Sequence, residues 1–236
     1  MLSRTAAALV PLFGRLTVTL DGAAELAPGS IVAANHTSLS DPAIVLAALH
    51  RVGVEPVVMA AAGLWRVPLL GRALAHDGHI PVRRADPRAA ACLEDAAAAL
   101  ARGRLVVIYG EGGIPDFESD TETPPHPFRS GLARLAAATG APVVPLGQTG
   151  ARRIMSGSGP GQFTSLASAP LRRPALRVHI GAPVRLTGDL PAATAQAHAA
   201  VTAAWRAAGG RAVTPPAPVQ TPVPDSAPAP AVEAAA

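Results

Sequence analysis

The sequence contains no lysine; all 20 of its basic residues are arginine. Neither a lysine Schiff base nor a Walker-type phosphate lysine can therefore be built from this chain. It has one cysteine, Cys92, which excludes an internal disulfide framework and fits a reducing compartment. Cys92 falls in an Ala-rich helical stretch, the setting of a buried structural thiol rather than a nucleophile. Aromatics are scarce, with one Tyr, four Phe and two Trp, so there is little material for stacking bases and nucleic acid is not an expected partner. No apolar run approaches the ~20 residues needed to cross a bilayer. The opening Met1-Leu2-Ser3-Arg4 and the apolar run after it only weakly suggest a signal peptide, because Pro11 interrupts the run and no convincing cleavage site follows. Residues 1–14 are expected instead to form a membrane-facing helix.

What the chain does have is Ala, Val, Leu and Ile for a core, and a net charge of +4. Planar guanidinium groups suit phosphate, so anionic lipids and coenzyme phosphates are natural partners. The segment 63–71, Gly-Leu-Trp-Arg-Val-Pro-Leu-Leu-Gly, reads equally as a second membrane-facing element with an interfacial Trp and as a packed core helix. From residue 211 onward a Pro/Ala-rich stretch lacks the residues for a core and is expected to be disordered. Ahead of it, strand-like runs at 16–20, 31–34, 55–59, 105–109, 142–146 and 176–180 alternate with helical patterns. The helices are expected at 43–50, 88–102, 131–139 and 192–208, with Asp41-Pro42 and Asp86-Pro87 as N-terminal signals. This alternation predicts a single α/β domain, residues 15–210, around a mostly parallel sheet flanked by helices, followed by the tail 211–236.

The most informative stretch is Asn35-His36-Thr37-Ser38-Leu39-Ser40-Asp41-Pro42, directly after a strand-like run. A His held by a nearby Asp is a ready general base for an alcohol. On one continuous helix the two side chains would lie about 140° apart, so the chain must turn between them for the pair to meet. Asp is a favoured N-cap and Pro a favoured first helical residue, so Asp41-Pro42 supplies that turn. The same residues also fit a plain helix cap beside an ordinary loop histidine.

Three further segments sit at the ends of strand-like runs. Gly78-His79-Ile80-Pro81-Val82-Arg83-Arg84 brings two guanidinium groups to one place, as an anion site or a solvated basic turn. Tyr109-Gly110-Glu111-Gly112-Gly113 sets glycines around a carboxylate, which lets backbone approach a ligand or makes a tight turn. Phe128-Arg129-Ser130-Gly131 puts Arg129 at the positive N-terminal end of a helix, which suits phosphate.

Taken in order, these blocks resemble the glycerolipid acyltransferase family, typified by 1-acylglycerol-3-phosphate O-acyltransferases. The family pattern is Asn-His, four residues, Asp; then Gly-x-Ile-Pro/Phe-Val-x-Arg; then Phe-Pro-Glu-Gly-Thr; then Phe-Lys-x-Gly; then Val-Pro-Val. Here the last block reads Pro142-Val143-Val144-Pro145-Leu146. The resemblance implies an α/β fold and transfer of a fatty acyl group from an acyl thioester to lysophosphatidic acid. The donor would be acyl-coenzyme A or an acyl carrier protein, with no other cofactor and no metal. It implies His36 as general base, Asp41 as its orienting partner, and Arg84, Arg83, Glu111, Gly112 and Arg129 as acceptor-binding residues. A peripheral place on the cytoplasmic face of the cell membrane follows from the substrate.

Departures from the pattern bear on the acceptor. Gly110 replaces Pro, Gly113 replaces Thr, and Ile114 stands where a basic residue is common. The following stretch adds Asp116, Glu118, Asp120 and Glu122, read as a solvated acidic loop. Another lysolipid or a specialised hydroxylated or amino-lipid acceptor is therefore an alternative, as is a non-catalytic lipid-binding protein. A metallohydrolase built on His36, Asp41, His76, Asp77 and His79 lacks any familiar metal spacing. His50, His126, His179 and His198 are expected to be surface or structural residues.

Overall fold

In this computed structural model, residues 1–83, 91–114, 122–155 and 160–211 are described. Along the chain they form α1 (Leu2–Phe13), β1 (Arg15–Leu20), β2 (Ile31–Ala34), α2 (Asp41–Arg51), β3 (Val57–Ala61), α3 (Leu70–His76) and β4 (Ile80–Val82). After these come α4 (Ala91–Ala101), β5 (Val106–Tyr109), α5 (Gly131–Thr139), β6 (Val143–Thr149), α6 (Pro160–Arg172), β7 (Ala175–Ile180) and α7 (Leu190–Ala207). The strands make one seven-stranded sheet in the order β1-β7-β6-β2-β5-β3-β4, parallel at every pairing except β6–β7. This is the single α/β domain expected from the alternation of strand-like and helical runs.

The sheet is buried on both faces, and the side-chain alternation of its strands shows how. Val32 and Ala34 of β2 face a core completed by Ile44, Val45 and Leu49 of α2, with Ala6 and Val10 of α1. Ile31 and Ala33 face the other way, onto Ala96 and Leu100 of α4, Leu132 and Leu135 of α5, and Val201 of α7. A parallel strand covered on both sides must be apolar throughout, which is why β2 and β5 carry unbroken runs of Val, Ile and Ala. Beyond β2 the chain passes to α2 on one face, and beyond β5 to α5 on the other. The C-terminal ends of these two neighbouring strands therefore open a crevice, the usual ligand position in open α/β sheets.

Glycine decides one packing contact. At Gly147 of β6 a Cβ would overlap the backbone of Ala204 and Trp205, so α7 lies directly on the strand. The strand also runs three residues further than expected, to Thr149, because its far half gains β7 as an antiparallel partner.

Other elements differ from expectation for identifiable reasons. Segment 63–71 is not one helix. A 3-10 turn (Ala62–Arg66) ends before Pro68, which disfavours helical backbone at Val67. Leu69 then adopts φ 64° and α3 begins after it. α6 was not expected, since its Ser- and Thr-bearing sequence with Pro170 has no strong helical pattern. α2 starts at Asp41 with Ser40 as its N-cap, so Asp41 is not the cap; its carboxylate is turned back into the preceding loop. The tail from 212 onward, the start of the helix expected at 88–102, Arg84, and the acidic residues Asp116, Glu118 and Asp120 lie outside the described residues.

Candidate active site

The site begins where β2 ends. Asn35 continues the ladder through its side chain: Oδ1 accepts the N–H of Gln148 at 2.8 Å and Nδ2 donates to the Gln148 carbonyl at 3.1 Å. Gln148 Nε2 donates back to the Asn35 carbonyl at 2.9 Å. These three bonds, all buried, pin the exit of β2 to β6 and set the start of the loop that follows.

That loop wraps around Asp41. Its Oδ2 accepts the main-chain N–H groups of Thr37 and Ser38, the latter at 2.8 Å, and lies 2.9 Å from His36 Nδ1. An oxygen already accepting two N–H groups is an acceptor for the third as well, so the proton sits on Nδ1 and the lone pair on Nε2. Asp41 is fully buried, while His36 keeps a small opening, with 13% of its side chain exposed. Ser38 Oγ donates to the Met155 carbonyl at 2.8 Å and Ser40 Oγ to that of Ala151 at 3.2 Å. Both hydroxyls thus fasten the loop to the segment after β6.

From β5 comes the second wall. Tyr109 is in register with Ala34, and its ring stacks on the His36 imidazole with centroids 4.2 Å apart. Glu111 is buried and spends both oxygens on backbone: Oε1 accepts the His36 N–H at 2.8 Å, Oε2 the His126 N–H at 3.2 Å. Burial pushes its carboxyl up to about 7, against those two N–H groups, which lower it; the Asp41 charge adds to the rise and Arg152 offsets part of it. Glu111 therefore braces the loop carrying His36.

The glycines beside it make room for the next element. Gly110 leaves space for the Phe128 ring. At Gly112, which has φ +71°, a Cβ would run into the side chain of Arg129. The Arg129 N–H donates to the Gly110 carbonyl at 2.8 Å, and its exposed side chain crosses the Gly112 turn at the N-terminal end of α5.

The family model described as Acyltransferase matches residues 15–149, more than half of the chain. The chain belongs to the acyltransferase family. Within this family, it is 29% identical over 126 residues to the 1-acyl-sn-glycerol-3-phosphate acyltransferase BAT2 of Brassica napus, covering 53% of this chain and 34% of that one. It is 28% identical over 127 residues to LPAT1 of Arabidopsis thaliana, of the same description, covering 53% and 33% respectively. The chain thus spans about a third of the length of these curated relatives. The crystal structure of PlsC from Thermotoga maritima, titled a 1-acyl-sn-glycerophosphate acyltransferase, superposes with a TM-score of 0.66 at 17% identity. It covers 90% of this chain and 80% of that one, so the two share a fold.

Among the residues singled out in this family member from sequence, His36, Asp41 and Glu111 come together, with Gly112 and Arg129 adjoining them. Arg83 is exposed just past β4, three strands from β2 and so about 14 Å to the side at the spacing of a sheet. The metallohydrolase set divides, with His36 on Asp41 and His76 on Asp77. Asp77 accepts the Leu2 N–H, and buried His79 accepts the Val58 N–H at 2.9 Å through Nδ1. Among the described residues, no group of three or more His, Cys, Asp or Glu is placed to hold a metal.

Two residues have roles their sequence context hides. Glu122, read with the acidic loop as solvated, instead accepts the Gly150 N–H in a half-buried position, and its partial burial raises its carboxyl. Arg152 is 2% exposed, close enough to Glu111 and Glu122 to favour their charged forms. An Arg-Arg pair after a strand reads as solvated, so no sequence signal marked it.

Proposed function

We propose that this acyltransferase moves a fatty acyl group from an acyl thioester to the free hydroxyl of lysophosphatidic acid, with His36 as the general base. The observation that carries this reading is the His36–Asp41 pair: Asp41 fixes the Nδ1–H tautomer at 2.9 Å and leaves the Nε2 lone pair to accept a proton. Nε2 takes the hydroxyl proton as the oxygen attacks the thioester carbonyl, so a C–O bond forms. The tetrahedral intermediate collapses by breaking the C–S bond, and the leaving thiolate takes the proton back from the imidazolium. Asp41 offsets the positive charge that His36 carries between these steps. No covalent acyl-enzyme is required, in keeping with Ser38 being tied to the Met155 carbonyl.

Arg129 is the residue assigned to the acceptor phosphate, at a helix N-terminus and against Gly112, with Arg83, exposed just past β4, as a further guanidinium group and Arg84 kept as the arginine that the resemblance assigns to the acceptor. It supplies the charge that Ile114 lacks. A location on the cytoplasmic face of the cell membrane fits the substrate. It also fits outward-facing Leu9 and Leu12 of α1, and Leu64, Val67 and Leu69 before α3. No helix among the described residues is long and apolar enough to cross a membrane.

Ile114 favours a second reading, a neutral lysolipid acceptor. The two separate in one assay: thiol release from palmitoyl-coenzyme A and from a palmitoyl carrier-protein thioester, with lysophosphatidic acid or neutral lysolipids as acceptors. Release is expected with lysophosphatidic acid, and Arg129→Ala should raise its KM about tenfold while leaving the donor KM unchanged. Release with neutral lysolipids alone would replace the acceptor. An equal effect of Arg129→Ala on both substrates would remove its phosphate role.

A further inference from the structure

His36 is held at three points, two on its imidazole and one on its main chain, and only two of the three are hydrogen bonds. Asp41 holds Nδ1, and Glu111 holds the main-chain N–H. The third is the ring of Tyr109, whose plane lies 27° from parallel to the imidazole at 4.2 Å between centroids. A single hydrogen bond at Nδ1 fixes a direction but leaves the ring free to pivot about it; an aromatic face pressed on one side removes that freedom. The stack is a product of the sheet itself, because β2 and β5 pair Ala34 with Tyr109 and His36 follows two residues later.

The Tyr109 hydroxyl takes no part in this hold. It is buried and has no hydrogen-bond partner among the described residues, although Asp41 lies near enough to act on it electrostatically. The useful part of Tyr109 is its ring. A cation within ~6 Å of such a face is attracted to it, and His36 becomes a cation when it accepts the hydroxyl proton.

We propose that Tyr109 is a positioning residue for acyl transfer: its aromatic face sets the plane of the His36 imidazole, aims Nε2 at the acceptor hydroxyl, and favours the imidazolium as it forms. This rests on His36 being the general base. It predicts that an aromatic ring is required at 109 and a hydroxyl is not.

The test compares Tyr109→Phe and Tyr109→Leu with the wild type by steady-state kinetics across pH and by NMR of the histidine rings. Tyr109→Phe should keep kcat within about threefold and leave both KM values and the pH profile in place. Tyr109→Leu should lower kcat about tenfold or more with both KM values little changed. In NMR, the His36 ring protons should be displaced upfield by the Tyr109 ring current in the wild type and in Tyr109→Phe, and not in Tyr109→Leu. Wild-type kcat in Tyr109→Leu would overturn the proposal, as would a Tyr109→Phe variant as impaired as Tyr109→Leu. Should Tyr109→Leu not fold, a wild-type spectrum without the upfield displacement would overturn it. The NMR arm does not depend on turnover, so a wild-type protein with no acyl transfer would defeat the assigned reaction while the stacking remained separately testable.

Discussion

At the scale of single residues, Glu111 carries the clearest consequence. Its carboxyl is protonated up to about pH 7 in the folded chain, against 4.5 for an ordinary glutamate. Between those values the folded state binds more protons than the unfolded one, so this group makes stability fall as pH rises. Denaturant midpoints measured from pH 5 to 8 should decline less steeply for Glu111→Gln than for the wild type. The same variant should lose activity, since an amide has one acceptor oxygen for the two N–H groups of His36 and His126. An unchanged slope would mean that burial does not govern Glu111. Its presence in a Gly-rich block was legible in the sequence; its work was not. The spacing of the block fits a carboxylate facing a ligand, and only the fold shows both oxygens engaged with backbone. For His36 and Asp41 the sequence was more direct, because a turn was needed for the pair to meet and Pro42 provided one. What it missed was that Asp41 folds back over the loop instead of capping its helix. Three donors lie on that side, at Thr37, Ser38 and His36.

At the scale of elements, the site depends on β2 and β6 ending where they do. Asn35 and Gln148 lock the two strands together, and β6 in turn lies under α7 at Gly147. Gly147→Ala should force the helix off the strand and destabilise the protein by about 3 kcal/mol, the scale of overpacking in a closed core, as read by urea unfolding. A stability within error of wild type would mean that α7 adjusts freely on β6. Buried strands were readable because runs such as 105–109 are apolar throughout. α6 was not readable, because its Ser- and Thr-bearing sequence with Pro170 carries no strong helical pattern. For the 63–71 segment both readings were open, and neither foresaw the break in the helical backbone at Leu69, where φ is 64°.

At the scale of the whole molecule, a three-layer fold with all central strands parallel gathers His36, Tyr109 and Glu111 at one edge. The ordered blocks in the sequence implied that gathering through resemblance to the family. The alternation of strand-like and helical runs, with arginine as the basic residue, implied only an α/β chain with groups for anions, and the placement of Glu111 and Glu122 near Arg152 left no trace in it. The central claim is that acyl transfer proceeds by general-base catalysis at His36, and the most direct measurement is phosphatidic acid formed from palmitoyl-coenzyme A and lysophosphatidic acid by wild type and His36→Ala. The wild type should form phosphatidic acid. His36→Ala, with an unchanged circular dichroism spectrum, should form it about a thousandfold more slowly. Equal rates in a correctly folded His36→Ala protein would contradict the account.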